Sequence, residues 1–117
     1  NAKMESYLGI TPPNNALGVL QDVHWSGAAI GYFSTYALGT LLAAQLYESA
    51  LKDHPEIPND IKNGKFSTLL GWMNQNIHVH GRKYMPDELV RRATGQPLSH
   101  EAFMRYLKAK FGPIYGV

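Results

Sequence analysis

The sequence contains no cysteine in its 117 residues, which excludes both a disulfide framework and a thiolate zinc site and leaves a reducing compartment open. It also lacks HExxH, so the i, i+4 histidine pair of a zinc-peptidase helix is missing. Charge is scarce: Asp, Glu, Lys and Arg make up 17% of the chain, against roughly 25% in an average soluble domain. With 44% hydrophobic residues, that shortage implies that part of the surface is meant to be covered. The net charge is only +2, and Arg82, Lys83, Arg91, Arg92, Arg105, Lys108 and Lys110 are spread out with acids between them. No nucleic-acid partner is expected from such dispersed charge. The longest apolar stretch, around Tyr36 to Tyr47, is interrupted by Gly39, Thr40 and Gln45 and falls short of the ~18 apolar residues of a spanning helix, so no membrane partner is expected either. No basic-then-apolar leader, internal repeat or low-complexity segment is visible.

Strand-like alternation is absent too, and what is present is helical punctuation. A chain of this length suits one domain with one core. Asn1-Ala2 runs abruptly into Lys3–Leu8, which has the look of the last turns of a helix; we expect residues 1–2 to be a cloning scar and the natural segment to be 3–117. Pro12 and Pro13 break any helix over "GITPPNN". A long helix is expected from about Phe33 to Asp53, with Ser34 or Thr35 available as its cap and apolar residues nearly all the way round, as in a helix that belongs inside a larger assembly. Further helices are expected from Pro58 to Asn63, from a Ser67 cap to about His80, from Pro86 to near Gly95, and from a Ser99 cap until Gly112-Pro113 stops the last one. The expected fold class is all-α.

Five histidines raise the question of a metal. On a helix, His78 and His80 would project about 200° apart and could not share an ion. His54 and His100 have no evident partner and are expected to be solvated. His24 differs because of its company in "GVLQDVHWSG", Gly18 to Gly27. An Asp two residues before a His can hold one ring nitrogen if the backbone is extended or turned, leaving the other to donate to a developing oxyanion. Asp22 stands in that position. Gln21 adds an amide that donates and accepts, suited to a peptide or carboxylate, and Trp25 supplies an apolar wall. Gly18, Gly27 and Gly31 would let backbone approach a ligand closely. The plain alternative is that Asp22 and His24 only satisfy local amides. Tyr32 and Tyr36, four residues apart, either line one wall of a pocket or pack in the core.

The segment "GVLQDVHW" fits the pattern GxxQDxHW, and "GYFSTYALG" closely resembles the "GYFPTYALG" of the thermostable carboxypeptidase family, the zinc metallocarboxypeptidases typified by Taq carboxypeptidase. "IKNGKFSTLLGWMNQNIHVHGRKYMPDELVRRATG" and the terminal "IYGV" are similar to that family's C-terminal region. The resemblance implies a cytoplasmic, largely helical, homodimeric exopeptidase of broad specificity acting on peptides with a free C-terminus. Its metal is zinc, with cobalt as the alternative, held by an HExxH helix and a later glutamate, all of which precede GxxQDxHW. This chain would then be the C-terminal helical region of such an enzyme, metal-free and inactive alone, with the N-terminal portion of the same enzyme as its partner. By the same resemblance Gln21 and His24 contact substrate or transition state, Asp22 orients the imidazole, Gly18 and Trp25 border the substrate, and Tyr32 or Tyr36 donates a phenol to the tetrahedral intermediate. Ser34 replaces a usual Pro and Thr40 a common Asn. The alternative from a different class is a non-catalytic helical interaction module in which the quoted segment is a structural turn.

Overall fold

A computed structural model describes residues 1–116; Val117, the last residue of the expected 3–117 segment and of "IYGV", lies outside the described residues. Among the described residues there are six α-helices and no strand: α1 Ala2–Leu8, α2 Ser34–Asp53, α3 Ile57–Lys62, α4 Ser67–Asn76, α5 Pro86–Thr94 and α6 Glu101–Tyr115. The chain divides into two compact units, Asn1–Ser34 and the part from Thr35 onward.

In the first unit α1 ends at Gly9, and the proline-containing stretch leads into two short 3-10 turns, Asn15–Leu17 and Val19–Gln21. Asn14 caps the first of these, its side-chain oxygen accepting from Leu17 N–H at 2.9 Å.

The second unit is built on α2. Its core is Leu46, Ala50, Ile57 and Trp72, with Leu42, Leu51, Ile61, Leu69, Met73, Ile77 and Ala93 packed against it. These residues come from α2, α3 and α4 and from the segments after them, so the short helices are held by burying apolar faces on α2 rather than by length, which at six and ten residues is too small for helices to stand alone. Polar anchors accompany the burial. Trp72 Nε1 donates to Asp53 Oδ2 at 2.7 Å, and Thr68 Oγ1 donates to Asp60 Oδ2 at 2.7 Å. Arg105 on α6 pairs with Glu48 on α2 at 2.9 Å.

Several expectations are corrected. Ser34 is the first residue of α2, and its hydroxyl donates back to the Gly31 carbonyl at 2.9 Å instead of accepting from a helix amide. The helix expected from Pro58 spans Ile57–Lys62, with Pro58 in its first turn, where a missing N–H costs nothing. Ser67 is likewise inside α4, after Phe66. That helix stops at Asn76 instead of continuing to His80, because Ile77 leaves helical geometry at φ −123°, ψ −64°, and His78–His80 tighten into a 3-10 turn before Gly81. The last helix passes through Gly112-Pro113 to Tyr115. Proline's fixed φ is compatible with a helix, and the loss is one backbone bond and local crowding; the buried Gly112 and Ala102 show that α6 is held by packing. Tyr32 precedes α2 whereas Tyr36 lies on it, so their spacing does not fall on one helix, and at 44% and 56% exposure neither is core. Other apolar residues of α2 are also open, Leu38 being half exposed. Among the described residues no helix is long and apolar enough to cross a membrane.

Candidate functional site

The quoted segment begins at a glycine whose form is dictated by its own neighbours. Gly18 has φ −125° and ψ −114°, and a Cβ built on it would lie 3.0 Å from the Pro12 ring and 3.3 Å from the Asn14 carbonyl. The close approach expected there is thus made by the chain itself, onto the buried Pro12. Gln21 closes the following 3-10 turn, and its side-chain amide nitrogen donates to the Ala16 carbonyl.

Asp22 is extended, at φ −86° and ψ 115°. That conformation lets Oδ1 reach forward to residue 24, where it accepts both the backbone N–H and Nδ1, each at 2.9 Å. The carboxylate thus satisfies a local amide and also holds one nitrogen of the imidazole. The backbone amide of His24, and after it the ring, hold the Asp22 carboxyl below its ordinary value of 3.8. Both side chains are about one-third exposed, 35% for His24 and 36% for Asp22.

Beyond His24 the chain folds back. Gly27 N–H bonds the Val23 carbonyl at 3.0 Å and Ala29 N–H bonds the His24 carbonyl at 2.8 Å. Ala28 and Gly31 both have left-handed backbones, at φ 60° and 79°; glycine adopts this freely, whereas alanine does so at a cost. The reversal brings Tyr32 and Phe33 onto the imidazole. The Tyr32 ring stacks at 5.6 Å and 21°, and the Phe33 ring lies at 4.7 Å, tilted by 54°. Trp25 projects outward, 59% exposed.

This one unit thus gathers Asp22, His24 and Tyr32, together with Phe33, to which the residue pattern had assigned no part; Gly18 and Gln21 lie in the turns leading into the cluster. The missed signal for Phe33 was the pair of turn residues that fold the segment back, of which Ala28 has no turn propensity to give it away.

Elsewhere the histidines are dispersed. His54 is not simply solvated, since Nδ1 lies 3.2 Å from Glu56 Oε1. His78 Nδ1 meets Asn74 Oδ1 at 2.7 Å, and His80 packs edge-on against Tyr84 at 5.2 Å. On the 3-10 turn the two rings diverge by roughly 240°, two steps at three residues per turn. Among the described residues no three His, Asp or Glu side chains come together as a metal site. In the second unit a cavity of about 410 Å³ is lined chiefly by apolar residues, Leu42, Leu46, Ile77, Leu89 and Val90 among them, with Arg82 and Tyr84 as its polar members and no carboxylate or imidazole.

Comparison with known proteins places these observations. A family model described as carboxypeptidase Taq (M32) metallopeptidase matches residues 1–111. Carboxypeptidase 1 of Bacillus subtilis is 41% identical over 115 residues, covering 98% of this chain and 23% of its own length. Thermostable carboxypeptidase 1 of Pyrococcus furiosus is 41% identical over 111 residues, covering 95% and 22%. Among solved structures, an M32 carboxypeptidase from Deinococcus radiodurans superposes with a TM-score of 0.83 at 42% identity, covering 99% of this chain and 24% of that one. The chain therefore spans less than a quarter of the length of these relatives.

Proposed function

Because the chain belongs to the carboxypeptidase Taq (M32) metallopeptidase family, we propose that it is the C-terminal helical part of a metallocarboxypeptidase that removes residues from peptides with a free C-terminus, with broad specificity. The observation that carries this reading is the Asp22–His24 contact at 2.9 Å inside GxxQDxHW. The family implies a metal, zinc in our proposal with cobalt as the alternative. The described residues of this chain do not form a site for it, so no step below runs through it; the ligands are assigned to the longer relatives' additional sequence. In the same reading the enzyme is cytoplasmic and homodimeric, and the N-terminal portion of the same enzyme completes the cleft.

The chain's own residues contribute binding and charge stabilisation. Asp22, as a carboxylate, is an acceptor only, so the nitrogen it holds carries the proton and His24 is Nδ1–H. A neutral His24 therefore offers an acceptor at Nε2, and it donates from Nε2 only as the imidazolium. Attack on the scissile carbonyl places negative charge on its oxygen, and the Nε2–H of that imidazolium is the donor that meets it. Gln21 has its amide nitrogen on Ala16, so its part in holding substrate falls to its carbonyl oxygen, an acceptor for a peptide N–H. Trp25 gives the substrate an apolar wall, and Gly18 sets the turn that presents them. Tyr32, stacked on the imidazole, is placed to supply a phenol beside it; Tyr36 is the other tyrosine proposed for that part.

The exposed apolar residues of α2 favour, as a second reading, a non-catalytic interaction module. The test is kinetic and uses the polypeptide that carries both this segment and the metal centre. His24→Ala lowers kcat and kcat/KM together by about 10²- to 10³-fold, as for loss of one oxyanion donor, whereas Gln21→Ala chiefly raises KM. Unchanged rates in both variants, with metal content and helicity intact, return the segment to a structural turn.

A further inference from the structure

Asp22 fixes only one nitrogen of His24. A hydrogen bond made by a ring one-third exposed competes with water, and a half-turn of the imidazole about its Cβ–Cγ bond would swing Nδ1 away from the carboxylate and bring a carbon in its place. Rings packed on the imidazole face resist that rotation, because the turning edge must sweep through the space they occupy. Phe33 is the nearer of the two, with its centroid 4.7 Å from that of His24. Tyr32 stacks at 5.6 Å, and Tyr32 and Phe33 meet each other edge-on at 6.3 Å, so the three rings brace one another. The left-handed Ala28, an unfavourable conformation for a residue with a Cβ, lies in the turn that delivers both rings.

We infer that Phe33 is a positioning residue for His24: its ring holds the imidazole with Nδ1–H on Asp22 and Nε2 as the nitrogen offered to substrate. In its kinetic consequence this rests on the role proposed for His24, while its spectroscopic consequence does not.

The spectroscopic arm uses the 117-residue chain. Long-range ¹H–¹⁵N correlations at about pH 9, where an imidazole is neutral, report which ring nitrogen carries the proton. We expect His24 to be Nδ1–H in the unmodified chain, to become a mixture of both tautomers in Phe33→Leu, which keeps apolar bulk without the ring, and to return to Nδ1–H in Phe33→Tyr. The kinetic arm, in the polypeptide carrying the metal centre, expects Phe33→Leu to lower kcat about 10-fold with KM little changed, as for a misoriented group that acts in the transition state, and Phe33→Tyr to restore it. A Phe33→Leu chain of unchanged helicity that keeps His24 as Nδ1–H overturns the positioning role whatever the kinetics. Loss of the Nδ1–H form without loss of rate supports the positioning role and overturns the part given to His24 in catalysis.

Discussion

The backbone N–H of Ser99 donates to Gln45 Oε1 at 2.9 Å, across 54 positions of the chain. Gln45 lies within the otherwise apolar middle of α2 and is 1% exposed. Its amide nitrogen donates to Thr94 Oγ1 and to the Pro97 carbonyl, both at 3.0 Å. One buried side chain thus satisfies the connection between α5 and α6 on both its donor and acceptor sides. Gln45→Leu keeps volume but removes the partner of the half-buried Ser99 amide and of the carbonyl of the exposed Pro97; a hydrogen bond lost contributes about 0.5–1.5 kcal/mol, and a polar group left unpaired where water does not reach it costs about 1–3 kcal/mol. We expect a loss of about 2–3 kcal/mol in urea unfolding. Equal stability of the Leu variant would show that water replaces the amide.

Asp22 provides a pH-dependent lock on the site. Its folded-state pKa is depressed below 3.8 by the amide and the ring of His24, so its stabilising contribution is present above the unfolded-state pKa and lost as pH falls through the lower folded-state value. Carboxyl ¹³C titration should place the Asp22 midpoint below 3.8. Because the backbone amide is the larger cause, His24→Ala should move that midpoint only part of the way back, and urea denaturation all the way. A midpoint at the ordinary value in the folded chain would mean that the Asp22–His24 contact is not populated in solution.

Ala28, at φ 60°, should respond to substitution in opposite directions. A left-handed backbone costs a residue with a Cβ roughly 1–2 kcal/mol, whereas glycine avoids that cost but is freer when unfolded by roughly 0.5–1 kcal/mol. Ala28→Gly is therefore expected to be neutral or slightly stabilising, and the β-branched Ala28→Val to be destabilising by about 1–2 kcal/mol. Chemical unfolding measures both, and the His24 ring-proton shifts report whether Tyr32 and Phe33 stay in place. A valine variant as stable as the alanine chain would place Ala28 elsewhere in backbone space.

Metal binding should need more than this chain. With no cysteine and no three metal-binding side chains brought together among the described residues, the dialysed chain should take up no zinc at submicromolar affinity, since structural sites normally use four protein ligands and catalytic sites three. Calorimetric titration checks this, and one tightly held equivalent would reveal a site formed on binding.

The sequence by itself determined what depends on a few consecutive residues. Proline and glycine punctuation placed α5 between Pro86 and Gly95, and the Asp22–His24 contact needs only an extended backbone at one residue to close. The family was legible for the same reason, since GxxQDxHW is a contiguous string. Tertiary structure decided the rest. Gln45 looked like an interruption of an apolar run until its partners, some fifty positions away, were folded onto it. Gly112-Pro113 looked like a stop, yet α6 continues to Tyr115 because burial at Ala102 and Gly112 outweighs a local preference against helix. Phe33 had no assigned role until two left-handed residues turned the chain and placed its ring on His24. Local preferences amount to fractions of a kcal/mol per residue and can be read in order along the chain; burial and pairing between distant residues are larger and exist only once the chain has folded.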